Sequence, residues 1–152
     1  MSLVVLALFA VTFCATVESI GNVAFFATIE KGYILGQNQV VTYDTVITNV
    51  GNAFDTRTGI FTARKRGIYV FHFSTLASLN TRINLLLFKN DVNIVKLTAD
   101  VPNYPMAANT AVVSLERGDR VYVKTYFPSS NFYSGSYTTF SGYMIELGDG
   151  EE

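Results

Sequence analysis

From Val23 to Leu147 the chain is a succession of short runs of β-branched and aromatic residues, each closed by a turn. No long segment carries apolar residues at i, i+3, i+4 and i+7, the spacing an amphipathic helix needs. The runs are Val23–Ile29, Val40–Ile47, Gly59–Ala63, Ile68–Ala77, Arg82–Lys89, Val92–Thr98, Ala108–Glu116, Arg120–Tyr126 and Thr138–Leu147. Gly51-Asn52, Lys89-Asn90-Asp91 and Glu116-Arg117-Gly118-Asp119 separate some of them, with residue types that favour turns. Strands at this density, with no helices between them, predict an all-β antiparallel sandwich or barrel. No linker, repeat or composition shift marks a second domain.

Strand parity sharpens the expectation. In Gly67–Phe73, residues Tyr69, Phe71 and Phe73 share one face, while Ile68, Val70 and His72 share the other, which is also mostly apolar. Likewise Phe140, Gly142 and Met144 oppose Tyr143, Ile145 and Leu147. A sheet with one wet face should alternate apolar with polar. These two strands do not, so a second subunit is expected to cover the other face.

Composition excludes several classes. Hydrophobic residues make up 49% of the 152 and charged residues 15%, too apolar for a disordered chain. The formal net charge of −1 gives no reason to expect a nucleic-acid partner. One Cys and one His cannot build a zinc site of the Cys/His type, and the glycines show no every-third-residue period of a collagen stalk. The apolar stretch Leu3–Phe13, followed by small residues up to Ser19, is too short to span a bilayer but suits the core of a secretory signal. Residues 1–19 are therefore expected to be a signal peptide, and residues 20–152 a secreted domain with no membrane span after cleavage. That mature domain loses the lone Cys14, so it must be held by core packing alone.

The stretch from Tyr43 to Phe73 resembles the signature of the globular head domain of complement C1q. The signature positions fall on Tyr43, Asn49, Phe54, Phe61, Gly67, Tyr69, Phe71 and Phe73, with every gap matching. Tyr43 stands where the family usually has Phe. Downstream, Ala111–Tyr122 is similar to the family's Leu-x-x-Gly-Asp-x-Val-Trp block with Tyr122 for Trp, and Phe140–Met144 to its closing strand. The resemblance implies a ten-stranded antiparallel jelly-roll sandwich of the C1q and tumour necrosis factor type, assembled as a homotrimer. Its interface would include Ile68, Val70, His72, Met144 and Ile145, whichever of each pair points outward. Without a collagen region, the chain looks like the secreted, head-only members of the family, many of which are soluble recognition proteins of invertebrate innate immunity.

Few residues offer chemistry. His72 is the sole histidine and sits in a dense strand, where a packed core or interface role is the plain reading and a pH-responsive interface the sharper one. No paired carboxylates or phosphate loop appear, and an enzyme is not expected. Arg64-Lys65-Arg66 reads as a solvated basic turn or as a patch for acidic sugars. No cofactor is expected; some relatives hold calcium through loop oxygens, but Asp55, Asp100 and Asp119 are not assignable to a site, and Asp119 is expected to fix its own turn. The connection Phe127–Tyr137 is the longest polar-aromatic one, and its Tyr, Ser and Asn content resembles a paratope. Candidate ligand-binding residues are Asn131, Ser134 and Tyr137, with Asn103 and Tyr104 in a neighbouring loop and Arg64 and Arg66 as an accessory patch. Tyr133 and Gly135 belong to the family motif and are expected to anchor the turn instead. Together these point to a soluble recognition protein for glycans or microbial envelopes. A cytokine-like or organiser-type ligand for a cell-surface receptor is the alternative, and a matrix component a third class.

Overall fold

A computed structural model describes residues 22–127 and 129–147; the expected signal stretch lies outside them. Among the described residues there are twelve strands and no helix. They are β1 (Ala24–Ile29), β2 (Ile34–Gly36), β3 (Thr45–Val50), β4 (Phe54–Asp55), β5 (Ile60–Thr62) and β6 (Gly67–Leu76), then β7 (Ile83–Lys89), β8 (Val92–Ala99), β9 (Met106–Leu115), β10 (Arg120–Thr125), β11 (Ser129–Asn131) and β12 (Thr138–Leu147). Ten of them form two five-stranded sheets, ordered β3-β1-β12-β6-β9 and β4-β5-β10-β7-β8. The short β11-β2 ribbon is an addition to the ten strands expected. Pairing is antiparallel in every pair, as a jelly roll requires.

Alternation of side chains along the strands builds the core. Tyr69, Phe71 and Phe73 of β6 all turn inward and are buried. There they meet Phe25 of β1, Phe61 of β5 and Phe140 of β12. Phe25 stacks on Phe54 at 4.5 Å between ring centroids and meets Phe140 edge-on at 4.9 Å, while Phe61 meets Phe71 edge-on at 5.2 Å. Burying each such ring contributes roughly 1.5–3 kcal/mol. The rings of the two flanking strands close over Gly142, where a Cβ would lie 2.5 Å from Phe71 Cδ1 and 2.8 Å from Phe25 Cε1.

The opposite face of the first sheet is the other consequence of parity. Val70 is flanked by Tyr143 on β12 and Val112 on β9, and Tyr143 is in turn paired with Ala24 of β1. Val112 is 66% exposed and Ile145 55%, and Phe26, Val50 and Tyr143 are exposed beside them. His72 lies on this face, its Nδ1 hydrogen-bonded with Thr110 Oγ1 at 2.8 Å and its ring stacked toward Tyr143. Met144 instead packs against the core, so of the expected interface pair Ile145 is the residue presented outward.

Candidate functional site

β6 runs from Gly67 to Leu76, about 30 Å at the usual rise per residue, and its two ends carry different chemistry. At the Leu76 end, segment 131–136 is pinned to the scaffold by main-chain bonds. Tyr133 donates to the Leu76 carbonyl at 3.0 Å, Gly135 to Glu30 at 2.9 Å and Ser136 to Ile29 at 3.0 Å, while Ser78 donates to the Asn131 carbonyl at 3.0 Å. The Ser136 hydroxyl also bonds the Glu30 carboxylate. The second loop is tied to the same end: Asn80 donates its N–H to the Asn103 carbonyl at 2.7 Å, and Asn103 donates to Asn80 Oδ1 at 3.1 Å. Both asparagines hold left-handed backbone, at φ 52° and 67°, which their short polar side chains tolerate.

These ties bring three exposed tyrosines together from the two loops. Tyr104 meets Tyr133 edge-on at 5.2 Å, and Tyr133 meets Tyr137 at 5.9 Å. A cleft of about 480 Å³ lies alongside, lined by Asn80, Thr81, Arg82, Val101 and Phe127. Arg82 donates its Nε–H to Asp100 Oδ1 at 2.6 Å and sits 5.7 Å over the Phe127 ring. The bond from Arg82 holds the Asp100 carboxyl below its ordinary range, and the Val101 N–H adds to it. The guanidinium is thereby fixed through one nitrogen and its ring stack, while its remaining N–H groups are free of that bond. Aromatic faces, amide and hydroxyl groups and one oriented cation are groups that can stack on and hydrogen-bond a ligand.

Of the residues singled out in the sequence, Asn103, Tyr104, Ser134 and Tyr137 are exposed at this end. Asn131 is half-buried in β11, with its carbonyl already used. Arg64 and Arg66 are not part of the group. They precede Gly67 at the other end of β6, where Arg64 donates to the Asn52 carbonyl at 2.8 Å and Arg66 pairs with Glu116 at 3.3 Å. The basic turn is therefore separated from the loops by the length of the sheet, and the cation that lines the cleft is Arg82. Tyr133, set aside as a turn anchor, does both things: its main chain ties the loop and its ring is the middle of the three. Tyr133 was visible in the paratope-like run; Arg82 and Asn80 were not, because only the fold brings residues 80–82 beside 103 and 127.

The loop acids are each engaged locally. Asp55 accepts from the Arg57 N–H, and Asp119 Oδ2 accepts from the Glu116 N–H at 2.9 Å, fixing the turn as expected. Among the described residues no three His, Cys, Asp or Glu side chains gather as a metal site would need. No helix among them is long and apolar enough to cross a membrane.

The model of the C1q domain matches residues 24–145 of the chain. A zebrafish (Danio rerio) protein, Caprin-2, is 32% identical over 128 residues, which is 82% of this chain but only 14% of that much longer relative. Among solved structures, the globular domain of zebrafish complement 1qA aligns at a TM-score of 0.71 with 21% identity, over 84% of this chain and 99% of that one. The tumour necrosis factor Eiger from S. frugiperda aligns at 0.70 with 14% identity, over 87% and 96%. Murine APRIL aligns at 0.66 with 14% identity, over 82% and 99%.

Proposed function

The chain belongs to the C1q-domain family, and from that premise we propose that it is a secreted, homotrimeric recognition protein that binds carbohydrate on microbial or cell surfaces. The observation that carries the reading is the aromatic rim: Tyr104, Tyr133 and Tyr137 converge from two loops that hydrogen bonds hold rigid. Tyrosine supplies contact area at low entropic cost, so a pre-formed trio suits the C–H face of a sugar ring. Ser134, Asn103 and Asn80 stand nearby for the hydroxyls, and Arg82 for an acidic substituent. Three copies would multiply a weak site into a useful one through avidity.

The trimer rests on the exposed apolar face formed by Val112, Tyr143 and Ile145 around the largely covered Val70, an arrangement soluble monomers rarely leave open. Innate immunity is the role that such binding would serve.

The test is a glycan array on the purified mature protein, beside a variant with Asn131, Ser134 and Tyr137 all changed to Ala. Binding to a narrow sugar class that the variant loses while keeping its assembly state supports the reading. Unchanged binding in the intact variant removes this loop from the mechanism. Silence on glycans with tight capture of one cell-surface protein turns the assignment to a receptor ligand.

A further inference from the structure

Charge is distributed unevenly between the two sheets. Strands β3, β1, β12, β6 and β9 contain no Lys, Arg or Asp; their one carboxylate residue is Glu146 and their one imidazole is His72. The strands of the other five-stranded sheet carry Asp55, Lys89, Lys96, Arg120 and Lys124. A chain with 11 basic and 12 acidic residues has thus kept them almost entirely off one sheet. A face left to water collects charge, whereas the centre of a face that a partner covers is depleted of it. His72 is the exception on that face.

In the single chain His72 is exposed, with Nδ1 hydrogen-bonded to Thr110 Oγ1 at 2.8 Å and the ring stacked toward Tyr143 at 6.1 Å between centroids. Thr110 and Val112 flank it from β9, Ser141 and Tyr143 from β12, and Phe26 of β1 stands beyond Ser141. Tyr143 is the one titratable group among these neighbours, and a phenol loses its proton only on the alkaline side. Glu146 pairs with Ile68, four residues along β6 and about 13 Å away at the usual rise. Among the described residues of this sheet no carboxylate is therefore placed to balance an imidazolium.

We propose that His72 makes the trimer acid-labile, so that three copies stay together only while their imidazoles are neutral; the inference rests on the trimer reading above. A neutral imidazole enters an uncharged interface with its bond to Thr110 already made. A charged one carries into it an ion with no counter-charge. In the free protomer water reaches His72 and solvates either form. Three free protomers therefore bind more protons than the trimer they form. By linkage the trimer keeps its full stability above the range in which histidine takes up a proton, and loses it as the pH falls through that range. Each histidine lowers the assembly constant by about tenfold per pH unit below that range, and three together by about a thousandfold. The proposed glycan rim depends on three copies for avidity, so acid would also release a bound surface.

The test is sedimentation equilibrium of the mature protein at about pH 7.5 and about pH 5, on either side of the ordinary histidine range. The parent is expected as trimers at the higher value and as single chains at the lower. His72→Gln, neutral throughout, should remain trimeric at both, and His72→Lys, charged throughout, should give single chains at both. A parent already dissociated at the higher pH would remove the trimer reading and the acid response with it. A parent trimeric at both values would overturn the acid response alone and leave the trimer standing. So would a His72→Gln variant that dissociates in acid as the parent does, because another group would then be the sensor. A His72→Lys variant that assembles like the parent at neutral pH would overturn it too, since the interface would then accommodate the charge.

Discussion

A single methyl group is more than the centre of the sandwich has room for. At Gly142 the added carbon would meet the edges of two rings, Phe71 and Phe25, that are themselves wedged among four further aromatics. Gly142→Ala is therefore expected to cost about 1–3 kcal/mol through overpacking, read as a lower urea midpoint at unchanged slope. An unchanged midpoint would mean that the rings move aside freely. Titration offers a second residue-level test. Burial alone would raise Asp119 above its ordinary 3.8, but bonds from Asn90 Nδ2, the Glu116 N–H and Lys89 outweigh it and hold the carboxyl lower. A group depressed in the folded state contributes stability in full above its unfolded value and loses it as the pH falls toward the folded one. The parent should thus lose stability below about pH 4 more steeply than Asp119→Asn does, in denaturant melts across the acid range.

Among the elements, the β7–β8 hairpin shows how one turn residue organises its surroundings. Asn90 occupies left-handed backbone at φ 52°. Its carboxamide donates to Asp119 at 2.9 Å and accepts from the Arg120 N–H at 2.9 Å, while its carbonyl accepts from the Tyr122 hydroxyl at 2.5 Å. Asn90→Ala removes two of those bonds and leaves a β-carbon in a disfavoured region, an expected loss of about 2–4 kcal/mol by thermal melting. Asn90→Gly should lose less, because only the bonds go. This turn was legible in the sequence, as were β1, β6, β7, β8, β9, β10 and β12, because each is long enough to show alternation and is bounded by turn residues. The three-residue β5 was legible too, within the run Gly59–Ala63, but β2, β4 and β11, of two or three residues each, carry no period to read. The run Val40–Ile47 failed differently. Val41 bonds to Val123 in one sheet, whereas Thr45 already pairs with β1 in the other, so the segment turns a corner of the sandwich that alternation alone does not reveal. The candidate site was half legible for the same reason: its loops are rich in Tyr, Asn and Ser, but their meeting point is a product of the fold.

For the whole molecule, the exposed face of the first sheet is where the proposed trimer is tested. Val112 is the sharpest probe, since it lies open in the single chain and a charge there leaves the protomer's own packing intact. Light scattering should give the mass of three chains for the parent and of one for Val112→Asp, which would bury an unpaired charge on assembly. A parent that scatters as one chain at micromolar concentration would sink the trimer. The same sheet carries a constraint of another kind, one of timing. β12 lies in its interior, hydrogen-bonded to β1 on one side and to β6 on the other. A ribosome delivers it after every other strand described, so β1 and β6 emerge with their shared partner still unmade. Until then the sheet has two raw edges where it should have a spine, and the aromatics of β6 lack their cover. Pairing across so long a stretch of chain is slow, and exposed edges of this kind invite the wrong neighbours. The sheet is consequently completed by its last described strand, and the yield of folded protein should depend on what shields those edges until β12 is in place.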